Sequence, residues 1–235
     1  MSGAATQPAA QAAPIQFEIR PLTGDDSNAY RALRQRILDI GDGRYFSDSY
    51  EREGKLTNEQ LWRDWCTEKR EHCIMGTFAD KALVGVMMIT QQGNGQSPVV
   101  EWEATWLHPD FRMGGVAKMA YQRVHDWTVQ QGYTVAAVFI REDNFRSQDI
   151  RTRQGFQRVY TIPNERWADG SIASTHAYVL DLRNPADLDA QRQRTIDHLA
   201  EALAYLQTGL HAAPSAEPER NPARPQPQEA QRAVA

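Results

Sequence analysis

The stretch HPDFRMGGVAKMAYQRVHDW (residues 108–127) joins an apolar segment to a helical pattern through two adjacent glycines. VVEWEATWL before it has the composition of a strand, and apolar residues at helical spacing follow, so the glycines lie in a strand-to-helix turn. The first amide groups of a helix have no partner inside the helix and carry the positive end of its dipole. Because they lack Cβ atoms, Gly114 and Gly115 leave room there for a bulky anion such as a phosphate. The alternative to an anion-binding site is an ordinary strand-to-helix turn that needs glycine for its φ angles.

Strand and helix patterns alternate on both sides of this turn. Before it, the sequence predicts a strand at FEIRPL, helices at DDSNAYRALRQRILDI and at TNEQLWRDWCTEKR (capped by Thr57), and a hairpin of CIMGTFA and ALVGVMMIT. After it come a buried strand YTVAAVFI, a helix near SQDIRTR, a strand near FQRVYTI, an irregular loop PNERWADGS and a strand near THAYVLDL. The order predicts an α/β fold with helices inserted between the strands of one mixed sheet. The helix after the glycines is expected to bury Val116, Met119, Ala120, Val124 and Trp127.

Composition divides the 235 residues into one folded domain, residues 15–183, and three further segments. Residues 1–14 and 211–235 are rich in Ala, Gln and Pro without an apolar face, which predicts disordered tails. Residues 184–210 start with Asn-Pro and repeat apolar residues at helical spacing, which predicts an appended amphipathic helix. That helix packs either on its own domain or on a second copy of the chain, so a homodimer stays open.

The bulk composition argues against several classes of function. A formal net charge of −4 without clusters of Lys and Arg is unlike a nucleic-acid-binding surface. No apolar run approaches the length of a membrane span and no signal-peptide pattern is present, so we expect a cytoplasmic location and no membrane partner. The two cysteines, Cys66 and Cys73, lack the spacing of a metal site, so no metal is expected.

Four short segments carry a family resemblance. Arg112 to Ala117 satisfy the pattern R/Q-x-x-G-x-G/A, by which the chain resembles the GNAT superfamily of N-acetyltransferases. LHPDFR is similar to the family's V-x-P-x-x-R at a strand end, and Asn144 precedes Gly155-Phe156 as in N-x(10)-G-F. FSDSYERE, apart from Asp48, is similar to the F-x-S-S-Y-x-x-E segment of some bacterial members. The resemblance covers roughly residues 15–183 and implies a GNAT-like acyl-CoA-binding fold, whose sheet is mixed and mostly antiparallel with flanking helices.

The resemblance implies acetyl-CoA as the co-substrate. The backbone amides of the glycine turn would bind its pyrophosphate, and the backbone of Leu107 would pair with its pantetheine arm. Asn144 and Ser147 fall where the family contacts the same arm, although capping of the next helix is an alternative role for Asn144. The implied cofactor-binding residues are Leu107, Arg112, Met113, Gly114, Gly115, Val116, Ala117, Asn144 and Ser147.

Glu101 and Glu103 are the candidate catalytic residues. They lie two apart on the strand VVEWEATWL, so their side chains share one face. Direct attack on a thioester requires a neutral amine, and many GNAT enzymes place a glutamate on this strand to accept the proton. Glu101 stands six residues before Leu107, where the family often has that glutamate. The alternatives for both residues are an anchor for a cationic substrate and a solvated pair.

Arg151 departs from the family, whose usual general acid is a tyrosine seven residues after the asparagine. Arginine stays protonated and cannot readily donate, but its charge can stabilise a departing thiolate. A surface position is the alternative for Arg151, and Tyr160 or His108 can supply the proton instead.

The sequence predicts an acetyl-CoA-dependent N-acetyltransferase that acts on a primary amine of a small molecule or protein. The alternative is a non-catalytic acyl-CoA-binding regulatory or interaction module.

Overall fold

The structure is a computed structural model that describes residues 15–45, 58–93, 97–112, 114–167 and 169–183. The described ranges all fall within the domain predicted over residues 15–183. The predicted tails (1–14 and 211–235), the appended helix (184–210), the FSDSYERE motif, Thr57 and Met113 lie outside the described residues.

The described part of the chain forms seven strands and four helices. The strands are β1 (Phe17–Pro21), β2 (His72–Ala79), β3 (Ala82–Gln91), β4 (Val99–Leu107), β5 (Val135–Arg141), β6 (Gln157–Arg166) and β7 (Ile172–Asp181). The helices are α1 (Ser27–Asp39), α2 (Glu59–Cys66), α3 (Val116–Gln130) and α4 (Phe145–Arg153). Short 3₁₀ turns stand at Gly24–Asp26, Asp42–Tyr45 and Pro109–Phe111.

Turn and cap residues explain where several elements begin and end. Asp80 and Lys81, with φ of 46° and 73°, form the predicted two-residue turn between β2 and β3. Gly132, with φ of 86°, follows α3 as expected of a helix-terminating glycine. The cap of α2 is Asn58 rather than Thr57, because the Asn58 side chain accepts a backbone N–H from the first turn of that helix.

The strands form one sheet in the order β1-β2-β3-β4-β5-β7-β6. Every neighbouring pair is antiparallel except β4 and β5, which are parallel. The predicted mixed, mostly antiparallel sheet with flanking helices is therefore confirmed. The parallel pair lies in the middle of the sheet, and α3 is the connection between its two strands.

Helices cover both faces of the sheet, and each face has its own buried cluster. On the face that we call the α3 face, Trp102 of β4 packs in one cluster with Val124 of α3. On the opposite face, which we call the α1 face, α1 and α2 supply Tyr30 and Trp62 to a cluster that also contains Trp106 of β4. Burial of a large apolar side chain contributes about 1.5 to 3 kcal/mol, so these clusters hold the helices to the sheet.

Two further expectations from the sequence are wrong in detail. Met119, expected in the core, is 51% exposed, because the buried stripe of α3 runs through Val116, Val124 and Trp127 and leaves Met119 beside it. PNERWADGS is not irregular throughout, since β6 continues to Arg166. A shift of register between Ile162 and Glu165 accommodates the proline there, which has no N–H to give to the ladder.

Candidate functional site

A gap opens in the middle of the sheet between β4 and β5. The two strands pair over three residues each, ending at Glu101 opposite Ala137, although β4 continues to Leu107 and β5 to Arg141. A cavity of about 1460 Å³ opens at this gap and is lined by both strands, α3 and α4. Strands that separate in this way present backbone groups with which an extended ligand can pair as an added strand.

The glycine turn lies at the start of α3, beside this cavity. Gly114 and Gly115 have φ of 87° and 86°, in the left-handed region that favours glycine. Apart from their chain neighbours, no described residue has an atom within 4 Å of the place that a Cβ would occupy on either glycine. The open space suits a bulky anion near the first amides of the helix, and the positive φ values also suit the simpler alternative of an ordinary glycine turn.

Arg112 ties the end of β4 to the turn after α1. Its Nε donates to the carbonyl oxygen of Leu107 at 2.8 Å, and its Nη2 lies 2.8 Å from a carboxylate oxygen of Asp42. The same oxygen of Asp42 accepts from the indole N–H of Trp106, also at 2.8 Å. The signature arginine therefore fixes the strand edge at which the pantetheine arm is predicted to pair.

Asn144 caps α4, which is the alternative role that the sequence left open. Its side-chain oxygen accepts the backbone N–H of Ser147 at 3.2 Å. No residue in the described ranges accepts a hydrogen bond from its amide nitrogen, and both Asn144 and Ser147 line the cavity. The cap therefore leaves the amide N–H groups for a ligand, and contact with the cofactor stays a prediction for both residues.

The two glutamates of β4 lie on the α1 face of the sheet. Trp102 between them packs on the α3 face, so Glu101 and Glu103 point to the opposite side. A bulge follows at Ala104, whose φ is 46°, and because it lies after both glutamates it does not separate them. Both line the cavity, and Gln92 donates to Glu101 Oε2 at 2.6 Å.

Arg151 is buried, so the surface alternative is wrong. Only 3% of the residue is exposed, and it lines the cavity from the α3 face. It donates to the hydroxyl of Thr105 and to the side-chain oxygen of Gln154, both at 3.1 Å. Burial lowers the pKa of Arg151 from its usual value, because a charged group loses its hydration there.

Three aromatic rings surround the Arg151 guanidinium. Its central carbon lies 4.7 Å from the ring centre of Tyr121, 5.4 Å from that of Phe156 and 5.8 Å from that of Trp102. Ring faces attract a cation and so offset part of the lost hydration. Among the described residues no carboxylate pairs with Arg151, so the positive charge is not neutralised locally.

The two proton donors named from the sequence do not line the cavity. His108 is packed between Trp106 and Phe111 at the end of β4. Tyr160 lies near Glu101, and burial together with the charges of Glu101 and Glu165 raises the pKa of Tyr160 to about 12. A tyrosine that does line the cavity is Tyr121 of α3.

The fold brings most of the predicted site residues together. Glu101, Glu103, Leu107, Arg112, Ala117, Asn144 and Ser147 line the cavity, whereas Gly114, Gly115 and Val116 do not, and Val116 is buried under the helix. Sequence reasoning missed Tyr121, although its place four residues after Ala117 puts it on the same side of α3. It also missed the buried Arg34 of α1, for which a polar residue within an apolar stripe was the available signal.

The described ranges contain neither a metal-binding cluster nor a membrane-spanning helix. No group of three or more His, Cys, Asp or Glu side chains there is arranged to hold a metal ion. None of the described helices is both long enough and apolar enough to cross a bilayer.

Residues 39–156 match the model of the Acetyltransferase (GNAT) family. A comparison with curated proteins finds no match.

Several solved structures share the fold. A GNAT-family acetyltransferase from Streptococcus pneumoniae has a TM-score of 0.60 at 12% identity, over 70% of this chain and 98% of its own. The acetyltransferase yncA from Salmonella typhimurium, solved with its cofactor acetyl-CoA, has a TM-score of 0.58 at 16% identity, over 74% of this chain and 98% of its own. RimJ from Mycobacterium smegmatis, in complex with CoA-disulfide, has a TM-score of 0.59 at 14% identity, over 81% of this chain and 93% of its own. At these identities the likeness is one of fold.

Proposed function

This chain belongs to the GNAT family of acetyltransferases, and on that premise we propose that it transfers the acetyl group of acetyl-CoA to a primary amine of a small molecule or a protein. The observation that carries the proposal is the gap between β4 and β5, which opens into the cavity and closes at Glu101. An acyl carrier that enters along the gap brings its reactive end to a carboxylate.

The residues around the gap fit acetyl-CoA. The open glycine turn and the first amides of α3 suit the pyrophosphate. The family resemblance adds the backbone amide of Met113, which lies outside the described residues. The edge of β4 at Leu107, held by Arg112, suits the amide groups of the pantetheine arm. Asn144 and Ser147 line the same cavity and can contact that arm from α4.

Glu101 is the proposed general base. The amine nitrogen attacks the thioester carbonyl carbon, Glu101 accepts the proton that the amine releases, and the carbon–sulfur bond breaks. Glu101 is favoured over Glu103 because it is the last residue of β4 that pairs with β5, at the closed end of the gap. The hydrogen bond from Gln92 orients its carboxylate. General bases of this kind contribute about 100-fold to 10,000-fold in rate.

Arg151 supports the same chemistry from the opposite face of the sheet. When the carbon–sulfur bond breaks, the sulfur of CoA takes the electron pair and becomes negative. A fixed positive charge among aromatic rings stabilises negative charge nearby more strongly than the same charge in water does. Breakdown is therefore favoured without moving a proton from Arg151.

The test is an acceptor screen in which release of free CoA thiol from acetyl-CoA is followed with a chromogenic disulfide. The protein's own thiols should give no background, because Cys66 and Cys73 are both buried and free. Burial also raises the pKa of the Cys66 thiol to about 12, so its reactive thiolate form is scarce at assay pH. Small amines, amino-acid-like compounds and peptides with free amino groups form the panel.

The outcome of the screen distinguishes the catalytic proposal from the non-catalytic alternative. Amine-dependent thiol release, with an acetylated product found by mass spectrometry, supports the proposal. Calorimetric binding of acetyl-CoA without release for any acceptor class supports the non-catalytic acyl-CoA-binding alternative. Absence of acetyl-CoA binding contradicts both.

A further inference from the structure

We propose that Tyr121, from α3, is the proton donor to the departing CoA thiolate, and that Arg151 beside it stabilises the phenolate that remains. The inference rests on the proposed acetyl transfer and adds a catalytic residue to it. It also answers a chemical question raised by Arg151, which occupies the place of the family's usual acid and cannot act as one.

The contact between Tyr121 and Arg151 is the first observation. The central carbon of the guanidinium lies 4.7 Å from the centre of the Tyr121 ring, closer than to the other two rings around it. The cation is buried and no carboxylate pairs with it among the described residues. A buried cation of this kind favours a negative charge beside it, and a phenol that gives up its proton supplies one.

The hydroxyl of Tyr121 is the second observation. Tyr121 is half-buried and lines the cavity, and no residue in the described ranges forms a hydrogen bond with its hydroxyl. Two other described tyrosines use their hydroxyls within the fold: that of Tyr133 donates to the carbonyl of Arg70, and that of Tyr178 donates to Gln148. The hydroxyl of Tyr160 also has no partner in the described ranges, but Tyr160 does not line the cavity. The phenol of Tyr121 is therefore available to a ligand in the cavity.

The third observation is the position of the pair relative to the proposed base. Arg151 binds Thr105 and stacks on Trp102, so it lies on the α3 face of β4, alongside the unpaired part of the strand. Glu101 points to the opposite face at the closed end of the gap. An acyl group in the gap thus has the base on one side of the sheet and the phenol on the other. This arrangement suits attack from one side and departure of the thiol toward the other.

The proposed step balances in atoms and electrons. The amine nitrogen forms a bond to the carbonyl carbon, and Glu101 accepts a proton from nitrogen. The carbon–sulfur bond breaks with its electron pair on sulfur, and Tyr121 transfers its phenolic proton to that sulfur. The products are the amide, CoA as a free thiol, protonated Glu101 and a phenolate next to Arg151. Exchange with water then returns the proton from Glu101 to the phenolate.

Other charged groups also line the cavity around Tyr121. Arg151 and Arg153 of α4 line the cavity opposite α3, and Lys118 and His125 line it from the same side of α3 as Tyr121. β5 contributes apolar side chains to the lining, and the glutamates of β4 lie on the other face of the sheet. Arg151 is the charge in direct contact with the ring, so it is the one expected to stabilise a phenolate there.

The test is Tyr121→Phe, which keeps the ring under Arg151 and removes only the hydroxyl. We expect kcat to fall by at least about 10-fold. This minimum is smaller than the usual effect of losing a general acid, because a thiolate whose conjugate thiol has a pKa of about 8.5 leaves readily without one. The KM for acetyl-CoA should hardly change, and the basic limb of the pH profile of kcat should disappear. Tyr133→Phe, three residues after the end of α3, is the matched control, and it should keep the parent rate and profile.

Two further variants separate proton donation from a structural role. Incorporation of a fluorinated tyrosine at position 121, whose phenol is more acidic, should move the basic limb to lower pH. Arg151→Gln should move it to higher pH, because the phenolate loses the neighbouring positive charge. A merely structural contact would change thermal stability or KM and leave the position of the limb where it was.

The outcomes distinguish failure of this inference from failure of the proposed function. If the parent protein releases thiol and Tyr121→Phe retains both its kcat and its basic limb, Tyr121 is not the donor. Loss of the limb in Tyr160→Phe instead assigns the role to Tyr160 and overturns the inference. If the parent protein acetylates no amine at all, the proposed function fails, and the inference, which rests on it, fails with it.

Discussion

The Nε of Arg112 lies 2.8 Å from the carbonyl oxygen of Leu107, so the signature arginine holds the last residue of the strand that precedes it. Its Nη2 reaches Asp42 at the same distance. The arginine is therefore predicted to act on the cofactor through the shape of the strand edge.

Arg112→Gln should lower both stability and acetyl-CoA affinity. Hydrogen bonds that involve a charged group contribute about 1.5 to 3 kcal/mol, so the free energy of unfolding in urea should fall by an amount in that range. Asp42→Asn, which removes the ion pair but keeps the bond to Leu107, is the control and should preserve more of the affinity measured by calorimetry. Equal affinity losses in the two variants would mean that the ion pair, and not the strand edge, supports the cofactor.

Gly115→Asp should abolish acetyl-CoA binding while the domain stays folded. The substitution puts a Cβ and a negative charge into open space at the start of α3, where the pyrophosphate is predicted to lie. A non-glycine residue is strained at φ of 86°, so the comparison is Gly132→Asp, at the other end of α3 with the same φ and equally open surroundings. Calorimetry should show lost binding only for Gly115→Asp. Equal losses in both variants would point to strain in α3 as the cause.

Glu101→Gln should separate binding from turnover. Its acetyl-CoA affinity should match that of the parent, its kcat should fall by about 100-fold to 10,000-fold, and the acidic limb of its pH profile should disappear because no carboxylate is left to protonate. Glu103→Gln, on the same face of β4 but beyond the paired part of the strand, should have a smaller effect. Turnover of Glu101→Gln at the parent rate would remove Glu101 from the mechanism and make Glu103 the next residue to test.

The stability of the fold should decline in mild acid because of His72. This side chain is 4% exposed, and its Nε2 lies 3.0 Å from the carbonyl oxygen of Trp65. Burial lowers the pKa of His72 below its usual 6.5, so below about pH 6.5 the unfolded chain binds a proton that the folded chain does not. The free energy of unfolding must therefore fall as the pH decreases from about 6.5 toward the folded pKa of His72.

Urea titrations between about pH 5 and 8 check this prediction. His72→Gln should be less stable than the parent at pH 8, where the buried ring is neutral, and should show a shallower loss toward pH 5. The same change at His176, which is only half-buried, should leave most of the slope in place. An unchanged slope in His72→Gln would assign the acid sensitivity to other groups.

Local patterns in the sequence were enough to predict the parts of the site that depend on residues close together in the chain. The strand-to-helix turn at Gly114 and Gly115 was predictable because left-handed φ values and helix starts have short-range signatures. Glu101 and Glu103 were predictable as one face because side chains alternate along a strand, and the bulge at Ala104 lies after both. The sequence also indicated the capping role of Asn144 as an alternative, which the structure contains.

Tertiary structure alone decided the environment of Arg151. The segment SQDIRTR is polar nearly throughout, so no apolar stripe marked which side of α4 faces inward. Arg151 is buried because Trp102 from β4, Tyr121 from α3 and Phe156 after α4 converge on it, and these residues are far apart along the chain. The gap between β4 and β5 has the same origin: pairing that stops at Glu101 depends on how two strands separated by α3 splay apart. Short-range periodicity carries no information on such long-range geometry.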